Sequence, residues 1–149
     1  MHTTVQIERA TKDDWPSIVQ LLQDGGLPID GLLEHLDTAF VAHDGTDIVG
    51  CAALEVYADG ALLRSVAVSP HVRGRGIGGQ LIDAAITLAQ SRGLSAVYLL
   101  TTTAPRYFPR LAFEAITRAD VPASVQQSVE FRSACCASAV VMRRVISAE

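Results

Sequence analysis

The stretch Leu62–Ala85, LLRSVAVSPHVRGRGIGGQLIDAA, constrains the fold more than any other part of the chain. LLRSVAV is an apolar, β-branched run and reads as a strand. Ser69-Pro70 breaks it, because proline cannot donate to a ladder. Arg73-Gly74-Arg75-Gly76-Ile77-Gly78-Gly79 is then a glycine-rich turn. It opens a helix that carries Leu81, Ala84, Ala85 and Leu88 on one face. Glycines leave backbone amides uncovered, the first amides of a helix have no internal partner, and the helix dipole favours an anion there. With Arg73 and Arg75 in the same turn, the stretch reads as a phosphate or pyrophosphate cradle between a strand and a helix.

Three phosphate-binding patterns compete for it. Gly74-x-Gly76-x-x-Gly79 matches the dinucleotide fingerprint, but that fingerprint needs an acidic residue at the end of the next strand, and VYLLTTT contains none. A P-loop needs Gly-Lys-Ser/Thr, and the only lysine is Lys12. Arg73-x-x-Gly76-x-Gly78, preceded by the strand VAVSP, resembles the R/Q-x-x-G-x-G/A turn of the GCN5-related N-acetyltransferase (GNAT) superfamily. In that superfamily the turn grips the pyrophosphate of acetyl-CoA, so acetyl-CoA is the co-substrate the resemblance implies.

A chain of 149 residues supports one domain, 1–149, with a real core. Apolar residues make up 49% and charged residues 19%, which excludes disorder. A net charge of -4 argues against general affinity for nucleic acid and makes Arg73 and Arg75 a local basic site in an acidic protein. The start MHTTVQIERATKDDW is too polar for a signal peptide, and no apolar run is long enough to span a membrane. Cys51, Cys135 and Cys136 are odd in number and lack zinc spacing, so no metal site is expected. A reduced, cytoplasmic location is expected.

In chain order, TVQIERA reads as a strand. Thr11 caps a helix, with Asp14 completing a capping-box variant and Pro16 in the first turn, and Gly25-Gly26 ends it. A short helix or turn is expected from Asp30 to Leu36. AFVAHD, IVGCAALEVY and ALLRSVAV form an antiparallel meander joined at Asp44–Asp47 and Ala58–Gly60. The long helix is expected from about Gly76 to Arg92, closed by Gly93. AVYLLTT is a buried strand, Arg106–Leu111 a short helix, AFEAITR a strand and VPASVQQS a turn or short helix. SAVVMRRVI closes the chain, with Val140, Met142 and Val145 as core candidates. The order β-α-α-β-β-β-α-β-α-β-β is that of the GNAT superfamily. The implied fold is an α/β (α+β) domain with a mixed, mostly antiparallel, splayed sheet flanked by helices. The resemblance further implies that the fourth and fifth strands part beyond a bulge, that Val66, Ala67 and Val68 offer backbone groups to the pantetheine arm, and that amides from Arg73 to Gly79 hold the pyrophosphate. Thr102 and Phe108 are further cofactor-binding candidates.

LPIDGL, GCAALEVY, LLRSVAVSPHVRGRGIG, VYLLTTTA and FPRLAFE together resemble the small acetyltransferases of arsenic-resistance operons. VYLLTTTA with LAFE, VPASV and FRS also resembles the acetyltransferase domain of N-acetylglutamate synthase. Both imply an α-amino group on a small acidic molecule. Transfer to an amine needs a neutral amine, a stabilised thioester oxygen and a departing thiolate. Glu55 is the candidate base. Arg64 interrupts an apolar strand, so its charge needs an anion: either an acceptor carboxylate held bidentately or an ion pair with Glu55. Thr101 and Thr103 are acceptor-binding candidates where the fifth strand opens. Where many superfamily members place a tyrosine acid, five residues before Phe113, this chain has Phe108. Cys135-Cys136 is a soft thiolate pair suited to trivalent arsenic, or two small residues entering the last strand. The expected function is acetyl-CoA-dependent N-acetylation of a small amino-acid-like molecule, with a role in arsenic resistance as one reading. N-acetylglutamate formation and a non-catalytic acetyl-CoA-binding or arsenic-sensing module are the alternatives. The expected partner is a small-molecule amine, with no nucleic acid or membrane, and a homodimer is among the open assembly states.

Overall fold

The computed structural model describes residues 5–102, 106–132 and 139–146. Strands β1 (Gln6–Arg9), β2 (Ala39–Asp44), β3 (Asp47–Tyr57), β4 (Gly60–Val68), β5 (Ala96–Thr101), β6 (Glu114–Ile116) and β7 (Val140–Val145) form one sheet in the order β1-β2-β3-β4-β5-β7-β6. The helices are α1 (Trp15–Asp24), α2 (Ile77–Ser91) and the one-turn α3 (Val129–Arg132). β4 and β5 run parallel, while β1–β2, β2–β3, β5–β7 and β6–β7 are antiparallel. The mixed, mostly antiparallel sheet flanked by helices is the expected one. The backbone divides into two compact units, Met1–Leu54 with Ser65–Ala85, and Glu55–Arg64 with Ile86–Glu149.

The first unit is built on α1 and the β2–β3 hairpin. The Asp14 carboxylate accepts from the Thr11 amide at 2.8 Å, as the capping-box pattern requires, and opens the turn that feeds α1. Ile18 and Leu22 of α1 pack with Leu32, Leu36, Val41, Cys51 and Ala53. The expected short helix is instead a kinked 3-10 segment, Leu32–Thr38, which starts two residues later because Gly31 takes a left-handed conformation (φ 74°) just before it. Burial pushes the Cys51 thiol up to about 12, so this cysteine is a core side chain and not a nucleophile. Cys135 and Cys136 lie outside the described residues.

Gly50 sets the close packing of this unit. A β-carbon there would meet Leu81 Cδ1 at 3.0 Å, the backbone oxygen of Ala67 at 3.2 Å and Ile77 Cγ2 at 3.3 Å. Its lack of a side chain lets the end of β4 and the start of α2 approach β3. The α2 stripe runs through Leu81, Ile82, Ala85, Ile86 and Ala89, whereas Ala84 and Leu88, expected on it, are only half-buried. The isoleucines pull the apolar face round by one position.

The second unit packs Leu62, Ala96, Tyr98, Val121, Val125 and Val141, with Tyr57 and Phe131 against them. In β7 the buried residues are Val141 and Met142, while Val140 and Val145 are exposed. This corrects the expected core set, of which only Met142 is inside. Val141 and Met142 are adjacent, so they point to opposite faces of the sheet, and simple alternation fails.

Gly50→Ala is expected to destabilise the protein by about 1–3 kcal/mol, the usual range for overpacking a tight core contact. Urea unfolding should show a lower midpoint with an unchanged slope, and an unshifted midpoint would mean that β4 and α2 yield without strain.

Candidate active site

Within the first unit the glycine-rich turn is laid out as its composition dictates. Gly74 and Gly76 sit at φ 86° and 76°, in the left-handed region that other residues avoid. Gly78 has no such need, since it lies in the first turn of α2 and is not among the positive-φ residues. The same holds for Gly79, where an added β-carbon would also meet nothing within 4 Å. A glycine in a helix costs about 1 kcal/mol relative to alanine. Neither backbone conformation nor, at Gly79, packing calls for it, and what remains is open ground over the helix start. The first α2 bond runs from the Gln80 amide to the Gly76 oxygen at 3.1 Å, so the amides of Ile77, Gly78 and Gly79 precede the ladder. Arg73 and Arg75 are exposed, and Arg73 Nε donates back to the Val68 oxygen at 3.4 Å. Amides, dipole, two guanidinium groups and uncovered space all suit a pyrophosphate.

The approach to this turn is the end of β4. Ser65 lies inside the strand at φ 59°, a left-handed residue of the kind that marks a bulge. Its carbonyl accepts from Cys51 Sγ at 3.3 Å. Val66, Ala67 and Val68 follow, all half-buried, and the Ser69 amide closes the segment by donating to Val49 O at 2.8 Å. The β4–β5 ladder pairs Ala61 with Val97 and Leu62 with Tyr98, both before the kink.

The second unit holds a buried ionic cluster centred on Arg64, midway along β4. Arg64 Nη1 donates to Glu55 Oε2 at 2.9 Å, with side-chain exposures of 0% and 2%. Arg64 Nη2 lies 3.8 Å from Glu130 Oε2 on α3, whose side chain is 12% exposed. The Tyr57 hydroxyl donates to Glu55 Oε1, so both oxygens of Glu55 are engaged. Burial, then the Glu55 carboxylate, pushes the Tyr57 phenol up to about 12. The Ser128 hydroxyl accepts from the Glu130 amide at 3.2 Å and fixes the start of α3. The cluster brings together Glu55 and Arg64, both marked in the sequence, with Tyr57 and Glu130, which were not. Glu130 has no sequence signal, being a lone acid 66 positions from its partner in a segment read as following a turn.

Thr101 is buried and faces Val140 across the β5–β7 ladder, and Thr102 is exposed. Thr103 lies outside the described residues. Phe108 is buried edge-on against Tyr107 (5.2 Å between centroids) and Phe113 (5.9 Å). Its ring is a packing element with no proton to give. Among the described residues no group of three metal-ligating side chains comes together, and no helix is long and apolar enough to cross a membrane.

Known proteins resemble this chain in sequence and in fold. Residues 35–115 match the acetyltransferase (GNAT) domain family. An amino-acid acetyltransferase of Mycobacterium tuberculosis is 32% identical over 129 residues, covering 80% of this chain and 74% of that protein. An amino-acid acetyltransferase of Neisseria meningitidis is 28% identical over 95% of this chain, which spans only 34% of its length. Among solved structures, N-acetylglutamate synthase from Neisseria gonorrhoeae, complexed with coenzyme A and N-acetyl-glutamate, superposes with a TM-score of 0.83 at 24% identity, over 97% of this chain and 36% of that one. A Mycobacterium tuberculosis protein in complex with CoA and NLQ gives 0.80 at 27% identity, over 95% and 99% of the two chains. The chain belongs to the GNAT acetyltransferase family.

Two measurements probe the cluster. Tyr57 should titrate near pH 12 in the folded protein, read as the tyrosinate absorbance of wild type minus that of Tyr57→Phe. Because its folded value is raised, its contribution to stability is intact below about pH 10 and is lost as the pH climbs through about 12. A midpoint near the ordinary value would show that Glu55 is not its partner. Arg64→Ala leaves two carboxylates facing each other without their cation and should lower the unfolding free energy by roughly 3–5 kcal/mol. A loss below about 1 kcal/mol would place the pair in water.

Proposed function

We propose that this chain, acting as one acetyltransferase domain, moves the acetyl group of acetyl-CoA to the α-amino group of a small acidic amino acid of the glutamate type. The observation that carries the acetyl-CoA part is the uncovered start of α2, where two helical glycines leave amides open beside Arg73 and Arg75. When bound, acetyl-CoA supplies the activated acyl group. The amides of Ile77–Gly79 and the two arginines would hold its pyrophosphate, and the backbone of Val66–Val68 would hold its pantetheine arm. Holding two reactants in one geometry is itself a large part of the rate.

The acceptor class rests on the relatives named amino-acid acetyltransferase and on the structural neighbours. A planar carboxylate suits the Arg64 fork, and Glu55, tied to Arg64 and Tyr57, aims that fork. With both oxygens of Glu55 engaged, we assign it first to positioning Arg64 and only second to taking the amine proton. Phe108 donates no proton, so the departing thiolate leaves unprotonated or takes a proton from water. Thr101 and Thr102 would serve as hydroxyl contacts to acceptor and cofactor. The reading in arsenic resistance rests only on the sequence motifs that raised it.

The test is acetyl-CoA turnover with L-glutamate, L-glutamine, L-aspartate and an arsinate- or phosphinate-bearing amino acid, read by free thiol release. Turnover fastest with a simple acidic amino acid is expected, turnover confined to the arsinate analogue would move the acceptor to arsenic chemistry, and no turnover with any amine would refute the proposal. Gly78→Val places a branched side chain over the helix start and should abolish acetyl-CoA binding in a protein that still melts cooperatively. Unchanged affinity in that folded variant would count against the cradle. Arg64→Lys should raise the acceptor KM about tenfold with little change for acetyl-CoA, since a point charge cannot make the paired contact.

A further inference from the structure

The direction in which the end of β4 turns its backbone groups can be read from its contacts with β3. The Ser69 amide donates to Val49 O at 2.8 Å, and the Ala67 oxygen lies 3.2 Å from where a β-carbon on Gly50 would stand. Ala67 and Ser69 therefore turn toward β3, and Val66 and Val68, one position out of step, turn away from it. At Ser65, where φ is 59°, the carbonyl is met by a side chain: Cys51 Sγ donates to it at 3.3 Å. Burial raises the Cys51 thiol to about 12, against a smaller opposing effect from a hydrogen bond with the Ala67 backbone, so the sulfur keeps its proton at neutral pH. A partner that favours the thiolate is a donor, which makes it the Ala67 amide. One sulfur thus spans the two peptide groups on either side of Val66, donating to the first and accepting from the second. A trans peptide carries its C=O and its N–H on opposite sides. With the Ser65 carbonyl and the Ala67 amide both turned to Cys51, the N–H and the C=O of Val66 both point away from it.

We propose that Cys51 is a positioning residue for the acyl donor: its thiol fixes the two peptide planes that flank Val66, so that Val66 presents an N–H and a C=O side by side to an amide of the pantetheine arm. The inference rests on the acetyl-CoA reading above and adds to it the side chain that orients the backbone. The β4–β5 pairs, Ala61 with Val97 and Leu62 with Tyr98, lie before the kink, so Val66 comes after the last of them. A serine does not favour a left-handed conformation unaided, and the thiol on its carbonyl is what holds it there. Without that bond the kink relaxes and the two groups of Val66 lose their common direction.

Cys51→Val tests this, since it removes the donor and the acceptor together. A small cavity lined by Ile18, Leu32 and Leu36 adjoins Cys51 and eases the entry of a branched apolar side chain. Calorimetric titration compares coenzyme A with 3′-phospho-ADP, which keeps the pyrophosphate and lacks the arm, so neither an acceptor nor turnover is needed. In the variant the affinity for coenzyme A should fall about three- to tenfold, the range of one or two neutral hydrogen bonds, while that for 3′-phospho-ADP stays within about twofold. Cys51→Ser restores a donor and an acceptor and should return coenzyme A to within about twofold of wild type. In turnover the acetyl-CoA KM should rise with the coenzyme A Kd, and the acceptor KM should hold. A purely structural role would weaken both ligands together or neither. Wild type supplies a readout that needs no variant: coenzyme A should slow amide exchange at Val66, and 3′-phospho-ADP should not. An unchanged ratio of the two affinities in the folded Cys51→Val protein, or equal protection of Val66 by both ligands, overturns the role of Cys51 and leaves the acetyl-CoA reading standing. Failure of both ligands to bind wild type would refute that reading, and this proposal with it.

Discussion

A guanidinium out of water must be compensated by charge, and this chain places one in the middle of a strand. The consequences spread from Arg64. Glu55 stands on the neighbouring strand at hydrogen-bond distance, and Tyr57 fixes the other oxygen of that carboxylate. Glu130 brings α3 against the same cation. Burying a salt bridge is seldom the most stable solution available, because the desolvation of both ions offsets much of their attraction. A leucine at position 64 would continue the apolar run on either side of it. Keeping a cation there makes sense if the site has work to do beyond holding the sheet together, and the proposed capture of an acceptor carboxylate is such work.

The glycines of the turn make a parallel case on the other compact unit. Two of them, Gly74 and Gly76, are needed for the path of the chain. The next two, Gly78 and Gly79, weaken the helix they begin and gain nothing in conformation for it. A structure that gives up helix stability at an amino terminus, next to two exposed arginines, is shaped for something that comes close to the backbone.

Much of this was legible in the sequence because it depends on local rules. The strand–turn–helix, the two hairpins, the capping box at Thr11 and the order of elements all follow from residues a few positions apart. The partners of Arg64 divide along the same line. Glu55, nine positions away across a hairpin, was within reach, whereas Glu130, on the far side of two strands in sequence, was not. Ser65 was invisible for another reason, since serine does not advertise a left-handed conformation as glycine does. The buried positions of β7 follow no alternation, since Val141 and Met142 are neighbours in sequence, and the α2 stripe departs from its expected course because two isoleucines outweigh the leucine pattern. The candidate site residues are marked by chemistry out of place, a charge among aliphatics and glycines in a helix, and a threonine or a phenylalanine that fits its surroundings gives no such signal.

The kink at Ser65 also divides labour along a single strand. The residues before it are anchored in a core that includes Leu62 and Tyr57, and those after it in a core that includes Ala67 and Cys51. On the proposed reading, the grip on the coenzyme and the choice of amine draw on separate sets of packed side chains. A lineage built this way can exchange one acceptor for another by altering the first set while the second is inherited intact. Diversification then asks for changes at a handful of positions, with no interval in which the protein has lost its hold on the acyl donor.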